Sequence, residues 1–123
     1  VVPVILSVPR KYYLIQQGMT WSDAQAYCRA EHTDLAIIDS NDNIVRFQKE
    51  IQKQQFSSSA WIGMYNDINS YRWSMGNETL GSFRSWCPGE PNNNGGKQTC
   101  VRISSCGWND FSCTTTYPFV CFD

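Results

Sequence analysis

Three short pieces in the C-terminal half carry side chains rich in hard oxygen atoms: Glu90-Pro91-Asn92, Gln98 two residues before Cys100, and Trp108-Asn109-Asp110 ahead of Cys113. Carboxylate and amide oxygens suit calcium and do not suit zinc. Calcium takes about six to eight oxygens, so an ion held by these side chains can keep positions open for the hydroxyls of an outside ligand. Pro91 adds a backbone feature, because an X–Pro bond is where a cis peptide costs little and would turn the flanking side chains the same way. A Cys100–Cys113 bridge would close a loop carrying Asn109 and Asp110, an effect of ~3 kcal/mol in the chain-entropy model. Turn residues and surface acids account for either triplet alone. The two in this order, bracketed by cysteines, point to a metal site.

Composition narrows the alternatives. A length of 123 residues fits a single domain, 1–123, and 41% hydrophobic residues with five Trp can supply its core. The ten basic and eleven acidic residues are spread along the chain, with no Lys/Arg run to follow a phosphate backbone, which argues against nucleic acid. The six cysteines, an even number in a short chain, predict three disulfides and an oxidising compartment. A zinc site lacks its ligand pattern: there is no C-x-x-C pair, and the single histidine, His32, is far from the C-terminal cysteines. Spacing alone leaves the pairing open. Asn77-Glu78-Thr79 is a glycosylation sequon and agrees with secretion. The run Val1 to Leu6 is too short to span a bilayer and reads as the tail of a signal peptide or as a first strand. No apolar stretch is long enough for a membrane helix. No nucleophile elbow, zincin helix or phosphate loop occurs, and His32 reads as a surface histidine, so catalysis is not expected.

The first half of the chain alternates strand and helix. Arg10 to Ile15 predicts a strand. Thr20 with Asp23 forms a capping pair, and Trp21, Ala24 and Cys28 recur at helical spacing up to Glu31. Leu35 to Ile38 reads as a short buried strand. Ser40 caps a second helix with Ile44, Phe47 and Ile51 on one face, and Trp61 to Tyr65 is a strand. From Asn66 to Gly107 the chain is rich in Asn, Gly, Ser and Pro, with short strands at Tyr71–Trp73 and Val101–Ile103, and another at Pro118–Phe122. Four cysteines within or just after this stretch mark a loop region stapled into shape. The expected class is α+β: two helices, small antiparallel sheets and a long loop region. Trp61 and Trp108 are expected beneath the loops, and Trp86 at the edge of the site.

From about Tyr12 to Phe122 the chain resembles the C-type lectin-like family, on Glu90-Pro91-Asn92, Trp108-Asn109-Asp110, the Trp61-Ile62-Gly63 strand, and the cysteines of the first helix and last strand. The resemblance implies the short form of that fold, with Cys28 paired to Cys121 and Cys100 to Cys113. Cys87 and Cys106 lie outside the family's common set and are left to pair with each other. It also implies calcium held by Glu90, Asn92, Gln98, Asn109 and Asp110, with the same side chains bonding two neighbouring sugar hydroxyls. Glu-Pro-Asn goes with mannose, N-acetylglucosamine and fucose; Gln-Pro-Asp goes with galactose. Gln98 departs from the usual glutamate, leaving two carboxylates and a weaker calcium site. Asn66, Asn93 and Thr99 stand where some relatives have the acids of an auxiliary calcium site, so that site is expected to be absent. The partners implied are glycans or glycoproteins, microbial surface sugars among them, met outside the cell by a secreted protein or a receptor ectodomain, with multivalent assembly raising avidity. The alternative is a lectin-like domain that binds a protein (or, in rarer relatives, ice) through the same loops with little or no calcium.

Overall fold

The computed structural model describes residues 10–67, 70–76, 78–91 and 99–123. Its elements run β1 (Tyr12–Met19), α1 (Trp21–Glu31), β2 (Asp34–Leu35), α2 (Asn41–Lys53), β3 (Ala60–Asp67), β4 (Ser70–Trp73), β5 (Cys100–Ser104), β6 (Gly107–Phe111) and β7 (Tyr117–Phe122). Both helices start where the sequence provides a cap. The Thr20 hydroxyl accepts from the Asp23 amide and the Ser40 hydroxyl from the Asn43 amide. Each cap satisfies a donor that the first helical turn leaves without a partner. Trp21, Ala24 and Cys28 form the buried stripe of α1, while α2 packs through Phe47 with Ile44 and Ile51 beside it.

The strands form one sheet in the order β1-β7-β3-β5-β6, with β2 added on β7 and β4 on β3. The antiparallel sets are joined through a single parallel pairing, Trp61 opposite Phe119. Apolar residues fill two clusters, one around Leu14, Ile38, Phe47, Ile62 and Trp108, the other around Trp21, Trp61, Phe119 and the Cys28–Cys121 disulfide. The buried indoles of Trp21 and Trp61 donate to the carbonyls of Ile62 and Met19.

Two expected elements differ. The strand read at Leu35–Ile38 is only Asp34–Leu35; residues 36–38 are buried but irregular. Gly63 explains the departure, because a Cβ there would meet the Leu35 carbonyl at 2.6 Å. The backbones approach so closely that the Gly63 amide donates to the Ala36 carbonyl. The second difference is β6, where Gly107–Phe111 forms a strand that composition did not suggest. Its support is tertiary: a full antiparallel ladder with β5, including Arg102 opposite Asn109 and Val101 opposite Asp110.

Candidate functional site

The loop before Pro91 and the edge strand β6 meet because of Gly107. Its φ is +132°, and a Cβ would sit 2.1 Å from the Ser85 carbonyl, so only glycine fits. The neighbouring backbone then pairs: the Trp108 amide donates to Ser85 and the Cys87 amide to Trp108. The Cys87–Cys106 disulfide closes the same junction, and Cys100–Cys113 ties β5 to the segment after β6. Below the junction Trp108 is fully buried, with Trp73, Phe83 and Trp86 edge-on to it. A turn in which the Glu90 amide donates to the Cys87 carbonyl then brings Glu90 to the strand. The Glu90–Pro91 peptide is cis.

At this meeting point the Asn109 Nδ2 donates to Glu90 Oε1 at 2.7 Å. The other end of the same amide, Oδ1, accepts from Arg102 Nε at 2.6 Å. Arg102 is itself held: its Nη1 donates to the Tyr117 hydroxyl at 2.5 Å, and its guanidinium lies 4.0 Å from the Phe111 ring centroid and 5.0 Å from that of Tyr117. Asp110 follows Asn109 along β6. It is fully buried and accepts a 2.9 Å hydrogen bond from the Tyr71 hydroxyl. Burial, then the bond to Asp110, pushes the Tyr71 hydroxyl well above the usual tyrosine range. Tyr71 also hydrogen-bonds the Asn66 side chain, whose Oδ1 is buried without a hydrogen-bond partner among the described residues. A cleft of about 330 Å³ adjoins this group, walled by Tyr71, Leu80, Arg84, Trp86 and Pro91.

Of the residues expected to hold calcium, Glu90 and Asn109 are thus in contact and Asp110 adjoins them along the strand. Asn92, Gln98 and the sequon residue Asn77 lie outside the described residues. All six cysteines are in disulfides, and the described residues contain no cluster of three His, Cys, Asp or Glu. What the site offers is carboxylate and amide oxygen, with a buried amide oxygen in reserve at Asn66. Such a donor set fits a hard cation and not a thiophilic one. His32 is half-buried rather than simply on the surface, stacked on Tyr13 and bonded to Asp123, whose carboxyl this contact holds below the usual range.

Sequence reasoning passed over Arg102, Tyr71 and Tyr117. Arg102 sits between two apolar residues in a strand, which reads only as an outward-facing position. Its importance comes from the cross-strand register with Asn109, which sequence spacing does not reveal.

The Lectin C-type domain family matches the chain over residues 17–122. The hepatic lectin of Gallus gallus is 37% identical over 117 residues, covering 91% of this chain and 54% of that protein. Asialoglycoprotein receptor 2 of Rattus norvegicus is 30% identical over 116 residues, covering 89% of this chain and 37% of that protein. The chain therefore spans about half of these relatives or less. Among solved structures, the cow C-type carbohydrate-recognition domain of CD23, determined in the presence of a GlcNAc2Man3 oligosaccharide, superposes with a TM-score of 0.76. It is 29% identical, with 93% of this chain and 87% of that one covered.

Proposed function

The chain belongs to the C-type lectin domain family, a family of non-enzymatic binding domains, and from that premise we propose a calcium-dependent lectin with mannose-type preference. Residues 1–123 act as one carbohydrate-recognition domain in this reading, working outside the cell, where three disulfides persist. Glu90, Asn92, Gln98, Asn109 and Asp110 hold the ion and meet the sugar. The observation that carries the reading is the Asn109–Glu90 hydrogen bond, which joins two motifs 19 residues apart into one donor–acceptor pair. When bound, calcium supplies a Lewis-acidic centre for two neighbouring sugar hydroxyls. The carboxylate of Glu90 accepts a hydrogen bond from a hydroxyl, and the amide groups of Asn92 and Asn109 donate. Acid before amide in Glu90-Pro91-Asn92 supports mannose, N-acetylglucosamine or fucose over galactose. The names of some relatives point to asialoglycoproteins, and the Glu90-Pro91-Asn92 order of this chain is what supports the mannose-type preference.

Gln98 reduces the ligand set to two carboxylates, so calcium binds more weakly than with a third. A single monosaccharide binds at about millimolar Kd, because a shallow polar site buries little surface, and useful avidity comes from several domains on a multivalent glycan. A glycan array probed with calcium and with chelator tests the reading. Signals on mannose, fucose or N-acetylglucosamine ligands that vanish with chelator are expected. Galactose-only signals would overturn the mannose assignment, and an empty array from folded, calcium-bound domain would overturn the lectin reading. A protein ligand then takes its place, a second reading that the contact of Arg102 with the Asn109 oxygen favours.

A further inference from the structure

Arginine has only donors and an ionised carboxylate only acceptors. Asn109 lies between one of each, with Arg102 Nε on its oxygen at 2.6 Å and Glu90 Oε1 on its nitrogen at 2.7 Å. The ordinary ambiguity of an amide's two ends is therefore removed, because turning it over would set donor against donor and acceptor against acceptor. In this arrangement the atom of Asn109 that faces Glu90 is nitrogen, which cannot ligate a metal. A cation shared by Glu90 and Asn109 needs the oxygen there. Bringing it round places the amide NH2 against Arg102 Nε, and the guanidinium has to give way.

Resting on the calcium reading above, we propose that Arg102 is a lock on the site, keeping the Asn109 oxygen engaged until calcium displaces it and so setting how much calcium the domain requires. Arg102, Asn109 and Glu90 are linked in one run of hydrogen bonds, and Phe111 and Tyr117 hold the guanidinium in place. The half-buried cation also opposes a divalent ion beside it, more strongly than an exposed one would. Calcium uptake exchanges one set of partners for another, and a fall in calcium lets Arg102 retake the oxygen and release the glycan. Arg102 is a positioning residue here, acting through Asn109.

Two variants test the lock. Arg102→Met keeps an unbranched stem against Phe111 but removes charge and donors; Arg102→Lys keeps the charge and loses the Nε donor. In the metal-free wild type, the Asn109 side-chain amide should give a pair of well-dispersed, slowly exchanging NMR signals, which collapse toward solvent-exposed values in Arg102→Met. By calorimetry, Arg102→Met should bind calcium about tenfold more tightly, as expected for losing one charge-assisted bond, with Arg102→Lys in between. Unchanged or weaker calcium binding in a folded Arg102→Met protein overturns the lock. Calcium bound by Arg102→Met and not by wild type supports it. If neither protein binds calcium, the calcium reading fails and the displacement fails with it. Metal-free amide signals identical in both proteins overturn the lock while leaving the calcium reading untouched.

Discussion

Two of the partly buried arginine contacts, those of Arg29 and Arg102, look alike and do different work. On the helical side, Arg29 Nε donates to Asp34 Oδ2 at 3.1 Å, while Asp34 Oδ1 accepts from the Leu35 amide and the Ser74 hydroxyl. This buried carboxylate meets a cation, a hydroxyl and a backbone donor, and together they join α1, β2 and the segment after β4. On the opposite edge of the sheet, Arg102 donates to a neutral amide, Asn109, that in turn reaches Glu90. An arginine against a buried acid is a structural fixture, since removing either partner strands the other. Against an amide beside a carboxylate it is exchangeable, since another cation can take the same oxygens. The first region is built to stay as it is, and the second to change partners.

The largest expected effect breaks the second region at its hinge. Gly107→Ala forces a Cβ into the Ser85 carbonyl at a left-handed φ, and should destabilise the domain by about 4 kcal/mol by chemical denaturation. If it folds, Glu90 should no longer meet Asn109, and calcium and glycan binding should fall together. Wild-type stability and binding would show that the close approach does not position the site. A smaller loss is expected on the other side. Asp34→Asn removes the charge facing Arg29, which is half exposed and partly compensated by water, and should cost about 2 kcal/mol. Calcium affinity should stay at the wild-type value; a matching loss of affinity would erase the distinction between the two regions.

The smallest effect is a pH response confined to the scaffold. Burial pushes the Tyr12 hydroxyl up to about 12, and that hydroxyl donates to the Ile37 carbonyl. In the unfolded chain a tyrosine ionises near its usual value of about 10. Folding thus favours the protonated form, so the contribution is fully present below that value and is lost as pH rises toward 12. Tyr12→Phe should cost about 1 kcal/mol at neutral pH and flatten the alkaline decline in stability. An identical decline in wild type and Tyr12→Phe would show that the buried hydroxyl is not its source.

Much of the scaffold was legible because its signals are local. Thr20 and Ser40 announce helix starts, and Trp21, Ala24 and Cys28 keep the 3.6-residue period whatever they pack against. Strand β6 was not legible: Trp108-Asn109-Asp110 has neither alternation nor β-branched residues, and its extended form comes from pairing with β5. The oxygen donors of the site stood out by type and order. Their orientation did not, because Asn109 owes it to Arg102, across the β5–β6 hairpin, and to Glu90, 19 residues away.

From the sequence alone came the class of donor, the stapled loop region, the capped helices and the family resemblance, all properties of residue type and short spacing. Only the tertiary structure decided which groups face which. It placed Asp110 in the core under Tyr71, turned the Asn109 amide between Glu90 and Arg102, and gathered Arg10, Lys11, Arg46, Lys49 and Lys53, scattered in the chain, around one groove. Hydrogen bonds and Coulomb forces depend on distance and direction in space, and residues far apart along the chain acquire those only when the sheet sets their register.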